Sequence, residues 1–342
     1  IMKETYRRNN NYNLIPKRED IIKEIEETAK AGGKIISILD DDYPENLRNI
    51  DNPPIVISYL GNLQKLEDKA VALVGSRNCS ANSVNLTYQI SKQMADSNFT
   101  VISGLARGID TAAHKGALDC ENRFENLIAT VAVLGGGIDH IYPKENKSLF
   151  ERISAEGLII SENPIKTAPK AENFPRRNRI ISALSRGTVV MEGALKSGSL
   201  ITARLAAEQG KEVMAVPGFP LDKRSEGTNK LIKNGAHLVG SAKDVIEIVG
   251  DESFSANYKN KTLFKEDNNF DFIEKSVSVE IDEESSSNEV NVIETLDSSP
   301  IDIDYLIKIS GLKAAQINSI LLEHEIMGEI IRHPGNKVSK AS

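Results

Sequence analysis

The feature that most constrains this chain is an alternation of short apolar runs and helical patterns between residues 66 and 250. Strand-like runs stand at Ala70–Val74, Thr100–Ile102, Ala129–Leu134, Gly157–Ile160, Thr188–Met191 and Glu212–Val216. Helical spacing separates most of them, at Asn82–Ser97, Ile109–Leu118, Glu145–Ala155, Asn178–Leu184, Ser199–Gln209 and Asn229–Asn234. Short apolar strands followed by helices are βα units, which build a parallel sheet covered on both faces. The expected class is α/β, an extended Rossmann-like fold with a mostly parallel sheet. Most of these strands run into glycine or small polar residues: Gly75-Ser76, Ser103-Gly104, Gly135-Gly136-Gly137, Glu192-Gly193 and Pro217-Gly218. Ligands of open α/β sheets bind beyond the carboxyl ends of the strands, so these turns face one potential site.

Charge concentrates in one of these segments. From Lys170 to Arg204 there are seven Lys/Arg against two Asp/Glu, net +5 in a chain that is net −7. The segment reads as a basic turn (FPRRNR), an amphipathic helix, a buried strand, a Gly/Ser/Lys turn and a second helix. Backbone N–H groups at helix N-termini suit phosphates, and Arg and Lys add charge. Phe174 stands at the basic turn, where a base can stack. The reading is a single-stranded DNA site. The acidic total does not argue against it, because Asp251–Glu289 carries 11 Asp/Glu and 4 Lys/Arg, as much net charge as the whole chain. A phosphate footprint is local.

Around the α/β domain (66–250) the sequence predicts three further regions. Residues 1–65 form a leading region, with a helix over Arg18–Lys30 and strand-like runs at Ile35–Leu39 and Ile55–Leu60, expected to pack beside the main domain. Residues 251–289 read as an acidic, low-complexity linker expected to be disordered. Residues 290–342 read as a winged-helix module, with helices at Val290–Leu296, Ile301–Ile309 and Ala314–Glu325 and a wing around Pro334-Gly335. Its second-motif helix, AAQINSILLEHEI, has no Lys or Arg, which favours protein contact over base reading. Two cysteines, Cys79 and Cys120, in 342 residues argue against a secreted disulfide scaffold. With no apolar run of membrane length and no signal peptide visible, a cytoplasmic protein is expected. The chain begins Ile1-Met2, so its start is expected to lie upstream.

The turns differ in how specific they are. Gly75-Ser76-Arg77 follows the first strand of the domain but lacks GxGxxG, and no Walker A pattern occurs, so a dinucleotide or ATP reading is unsupported. Gly75 and Ser76 can still offer donors to a phosphate that Arg77 clamps; the plain alternative is an ordinary βα turn with Arg77 solvated. In SGLARGIDTAAH, Ser103 and Gly104 end a strand and Arg107 precedes a helix. Asp110 and His114 share a face of that helix, as an acid/base pair or, the preferred reading, as a helix-stabilising contact. Asp139 and His140 lack metal-ligand spacing and read as structural. Lys196-Ser197-Gly198-Ser199 opens a helix after a strand and suits a phosphate; a Ser–Lys hydrolase reading has no oxyanion arrangement behind it.

Taken together, VALVGSR, SGLARGIDTAAHKGAL, VAVLGGGIDHIYP, FPRRNRIISALS, SGSLITARLAAEQGKEVMAVPG and GTNKLIKNGAHLV resemble the successive motifs of the DNA-processing protein A (DprA/Smf) family, over about residues 35–245. Tyr43-Pro44 and Pro53-Pro54 match its YPxxL and PP features, and the tail GLKAAQINSILLEHEIMGEI is similar to its winged-helix module. The helical domain that precedes these features in the family looks truncated here. The resemblance implies a Rossmann-like fold without a nucleotide cofactor and a non-enzymatic protein. Such a protein binds single-stranded DNA, forms a homodimer through the Rossmann-like domain, and loads the recombinase RecA during natural transformation. Carried over by motif, DNA contact falls to Gly75, Ser76 and Arg77, to Ser103, Gly104 and Arg107, and to Phe174 (stacking), Arg177, Asn178 and Arg179. It also falls to Lys196, Ser197 and Gly198, with Lys170 nearest to a family lysine that precedes FPxRNR. The alternative is a nucleotide enzyme of the Rossmann-like phosphoribohydrolase type with Glu192 as an acid, although its PGGxGT-like signature is absent.

Overall fold

The structure, a computed structural model, describes residues 16–66, 68–122, 127–250 and 292–341. The stretch read as a linker, 251–289, lies outside the described residues. Nine strands form the main sheet: β1 (Lys34–Ser37), β2 (Val56–Gly61), β3 (Ala70–Val74), β4 (Thr100–Ser103), β5 (Thr130–Leu134), β6 (Leu158–Ser161), β7 (Gly187–Val190), β8 (Glu212–Ala215) and β9 (His237–Leu238). Their order is β1-β2-β6-β5-β4-β3-β7-β8-β9. From β6 to β9 every pairing is parallel; β2 joins β6 antiparallel and β1 joins β2 antiparallel. The expected division at residue 65/66 therefore runs through one sheet. Backbone pairing of Ser58–Gly61 with Leu158–Ser161 makes the leading strands an extension of it.

Strand β3 shows why this sequence folds so. All five of its residues are buried. Ala70, Ala72 and Val74 enter one core cluster and Val71 and Leu73 the other, the two-residue period of a strand sandwiched between helix layers. On the first face lie the helices that contribute Ile180, Ile181, Leu200, Ala203 and Leu231; on the second lie those that contribute Ile90, Met94, Ile109, Ala113 and Val245. In chain order the helices are α1 (Arg18–Lys30), the short α2 (Glu45–Arg48), α3 (Ala81–Asp96), α4 (Ile109–Leu118), α5 (Lys147–Glu156), α6 (Asn173–Ala183), α7 (Gly198–Glu208), α8 (Glu226–Lys233), α9 (Ala242–Val249), α10 (Ile303–Ser310) and α11 (Ala314–Ile326). None in the described residues is long and apolar enough to cross a membrane.

The two features of the leading region meet each other. Tyr43 is buried and its hydroxyl donates to the Pro54 carbonyl at 2.5 Å, while Arg48 lies 5.8 Å from the Tyr43 ring centroid. The C-terminal module has α10, α11 and a sheet ordered β10 (Ile301–Asp302), β12 (Lys337–Lys340), β11 (Ile330–His333). Residues 292–295 form a turn where a helix was expected. The wing is present, with Arg332 opposite Val338.

Candidate nucleic-acid interface

Order reverses between β3 and β7: the chain passes from β3 to β4 on one side and later returns to place β7 on the other. Such a switch point leaves a crevice, and a cleft of about 440 Å³ opens there. Its walls come from the turn after β3 (Gly75, Ser76, Arg77, Asn78), the start of α6 (Phe174, Pro175, Arg177, Asn178, Ile181), and the turn after β7 with the start of α7 (Ala194, Lys196 to Ser199).

The FPRRNR segment is not the turn expected from its proline. It is the first part of α6, where Pro175 is the third helical residue. Proline is tolerated there because the first N–H groups of a helix have no intrahelical partner. Helical geometry then sorts its residues by direction. Phe174, Arg177, Asn178 and Ile181, spaced i, i+3, i+4, i+7, all line the cleft. Arg179 is about 200° around the helix from Arg177 and points away, pairing with Glu162 and lying in the field of Tyr43. Arg179 is thus part of the junction with the leading region.

Arg177 is at the cleft wall but is not a free cation. It is only 6 % exposed, and its Nη1 donates to the carbonyls of Gly104 (2.8 Å) and Val133, the ends of β4 and β5. Burial pulls its guanidinium down to about 10, against the attraction of Asp110. Burial likewise pushes the Asp110 carboxyl up, opposed first by the Arg177 charge. A Cβ at Gly104 would stand 2.4 Å from Arg177 Nη2, so glycine there makes room for the guanidinium.

Asp110 and His114 do not bond each other, contrary to the preferred reading. Both reach the same backbone turn. Asp110 Oδ2 accepts from the Gly104 amide (3.1 Å) and the Ala106 amide (3.3 Å), and His114 Nε2 accepts from the Leu105 amide (3.2 Å). Asn146 donates to the Leu105 carbonyl at 3.0 Å. Leu105 sits at φ +59°, a left-handed conformation costly for a branched side chain, and these contacts hold it there. His114 is fully buried and burial lowers its imidazole to about 3, so it is neutral. With Nε2 accepting, Nδ1 carries the proton toward Thr130 Oγ1 at 2.7 Å.

Phe174 lies partly exposed with Arg77 over its ring, 5.1 Å from the centroid, and Tyr142 5.6 Å away at 45°. A Cβ at Gly135 would meet Phe174 at 2.9 Å, so the LGGG turn supplies the floor for this ring. Across the cleft, Lys196 and Gly198 are exposed, and Ser197 caps α7 by accepting from the Ser199 amide at 3.3 Å. Asn178 donates to the Gly198 carbonyl at 3.4 Å and ties the two helix starts together. The result is an aromatic face, the cations of Arg77 and Lys196, and the N-terminal ends of α6 and α7 directed at one opening, the arrangement that holds a phosphate chain with stacked bases.

Of the residues read from sequence, the cleft brings together Gly75, Ser76, Arg77, Phe174, Arg177, Asn178, Lys196, Ser197 and Gly198. The Ser76 amide is already committed to the Glu192 carbonyl at 2.8 Å. Ser103 is buried, its hydroxyl donating to the Leu73 carbonyl at 2.7 Å, and with Gly104 it supports the wall from behind. Arg107 pairs with Glu145 on the exterior, and Lys170 is exposed; neither lines the cleft. Nor does Glu192, the acid of the enzyme alternative. It is 4 % exposed and accepts from Ser80 N and Oγ and from Ser83 Oγ. Asn78, Ala106, Ile201 and Thr202 line the cleft without having been singled out; the i+4 spacing of Ile201 from Ser197 and of Thr202 from Gly198 was the available signal. Among the described residues, no cluster of His, Cys, Asp or Glu is arranged to hold a metal.

Comparison with known proteins gives the family. A family model described as DNA recombination-mediator protein A matches residues 34–250, and one described as the DprA winged helix domain matches residues 280–336. Protein Smf of Synechocystis is 33 % identical over 333 residues, covering 92 % of this chain and 82 % of the relative. DNA processing protein DprA of Streptococcus pneumoniae is 44 % identical over 210 residues, 61 % of this chain and 72 % of the relative. Its crystal structure superposes with a TM-score of 0.61 at 40 % identity, covering 68 % of this chain and 78 % of that one. The DNA processing protein A of Helicobacter pylori, solved for its single-stranded DNA binding mode, gives a TM-score of 0.56 at 27 % identity, covering 63 % and 94 %. By sequence, by fold and by its C-terminal module, this chain belongs to the DNA recombination-mediator protein A family, the DprA/Smf proteins.

Proposed function

We propose that the cleft between β3 and β7 binds single-stranded DNA, and that the protein is a non-enzymatic DNA-processing factor. The observation that carries this is the convergence of Phe174, Arg77 and Lys196 with two helix N-termini on one opening. Stacking on Phe174 needs an unpaired base, which a duplex does not present. Arg77 and Lys196 supply backbone charge without base-edge reading, so binding tolerates sequence. The finer role, supported by similarity to the family, is protection of incoming strands and loading of the recombinase RecA onto them during natural transformation, by a homodimer.

Fluorescence anisotropy with a labelled dT oligonucleotide and a duplex of equal length, across a salt series, tests the binding step. The single strand binds more tightly, and Arg77→Ala and Lys196→Ala each reduce the salt slope by roughly 0.7, the value for one single-strand phosphate contact. Equal affinity for strand and duplex, or slopes unchanged in both variants, contradicts the reading.

A further inference from the structure

Glu192 follows β7 and its two ends hold different things. Its backbone carbonyl accepts the Ser76 amide at 2.8 Å, which fixes the turn that sets Arg77 over Phe174. Its carboxylate accepts the Ser80 amide (3.1 Å to each oxygen), Ser80 Oγ (2.8 Å) and Ser83 Oγ (2.7 Å), anchoring the start of α3. The first two residues of α3, between Ser80 and Ser83, carry the winged-helix module. The Ala81 amide donates to the Thr295 carbonyl at 2.8 Å, and Asn82 Nδ2 donates to Asp297 Oδ1 (2.9 Å) and the Ser299 carbonyl (3.1 Å). Ala81 is buried in the apolar cluster of the module itself. From the other side, Arg224, aligned by Asp222, donates to the carbonyls of Glu294 and Leu296 at 3.0 Å each. Residues 76–83 thus lead from the cleft wall to the module's dock, with Glu192 gripping both ends of that path.

We propose that Glu192 is a positioning residue that couples strand occupancy of the cleft to docking of the winged-helix module. The inference rests on the cleft being the single-strand site. A strand held by Arg77 orders the turn, Glu192 passes that order to the start of α3, and α3 then presents Ala81 and Asn82 to the module at lower entropic cost. Thermodynamic linkage makes the effect reciprocal: a docked module strengthens strand binding by the factor by which the strand strengthens docking.

Hydrogen exchange on the full chain, with and without a saturating dT oligonucleotide, reads this directly at the Ala81 amide. In the unsubstituted protein the strand slows Ala81 exchange about fivefold, the lower end of ordinary coupling. Asn82→Ala, which touches the module and not the cleft, weakens strand binding by a comparable factor. Glu192→Gln still binds the strand but no longer slows Ala81 exchange. Strand binding with Ala81 exchange unchanged overturns the coupling and leaves the cleft reading intact; absence of strand binding overturns both. Retention of the slowing in Glu192→Gln would show that the coupling does not run through this carboxylate.

Discussion

At the scale of single residues, burial decides which charged groups serve the cleft and which build it. Arg77 and Lys196 remain at the opening, while Arg177, Asp110 and His114 are spent on backbone groups behind it. The sequence carries the identity of these residues but not their accessibility, since the spacing of Asp110 and His114 places them on one helix face without saying what that face meets. The His114 imidazole is held neutral at about 3, whereas the unfolded chain takes up a proton near pH 6.5. Below pH 6.5 the unfolded state therefore binds the extra proton, and stability falls as pH falls, by up to about 1.4 kcal/mol per pH unit, until the folded group titrates. Urea denaturation between pH 7 and pH 4 should show this fall, and His114→Gln should flatten it. An identical pH profile in the variant would assign the acid sensitivity elsewhere.

At the scale of elements, the strands were legible because short, mostly apolar runs of three to six residues, most of them ending in glycine or small polar residues, have few other solutions in a sheet covered on both faces. The start of α6 was not. Its proline and three arginines suggest a turn, yet proline is harmless in a first helical turn. That difference turns Arg177 and Arg179 to opposite sides of α6. Strands β1 and β2 were visible as apolar runs, but the antiparallel pairing of β2 with β6 depends on a contact about a hundred residues away that local pattern does not encode. Arg177 clamps α6 to the ends of β4 and β5, so Arg177→Ala leaves two buried carbonyls without their donor. It should destabilise the domain by about 2–6 kcal/mol, about 1–3 for each buried carbonyl left unsatisfied. Thermal unfolding measures it; a midpoint unchanged within a degree would return Arg177 to the role of a surface phosphate contact.

At the scale of the whole molecule, the topology places every α/β turn of interest on one rim, and the switch between β3 and β7 picks out which turns form the cleft. The C-terminal module is docked at the same end through α3 and Arg224, an arrangement that its sequence, with no basic residue on α11, left open. In the proposed complex an unpaired base stacks on residue 174. The chain contains no tryptophan, so Phe174→Trp installs a single reporter in the cleft. Saturating dT oligonucleotide should quench its emission, with a half-saturation that rises with salt, and a duplex of equal length should leave it nearly unchanged. Full strand binding by anisotropy with no change in tryptophan emission would place the strand elsewhere on the molecule and contradict the account.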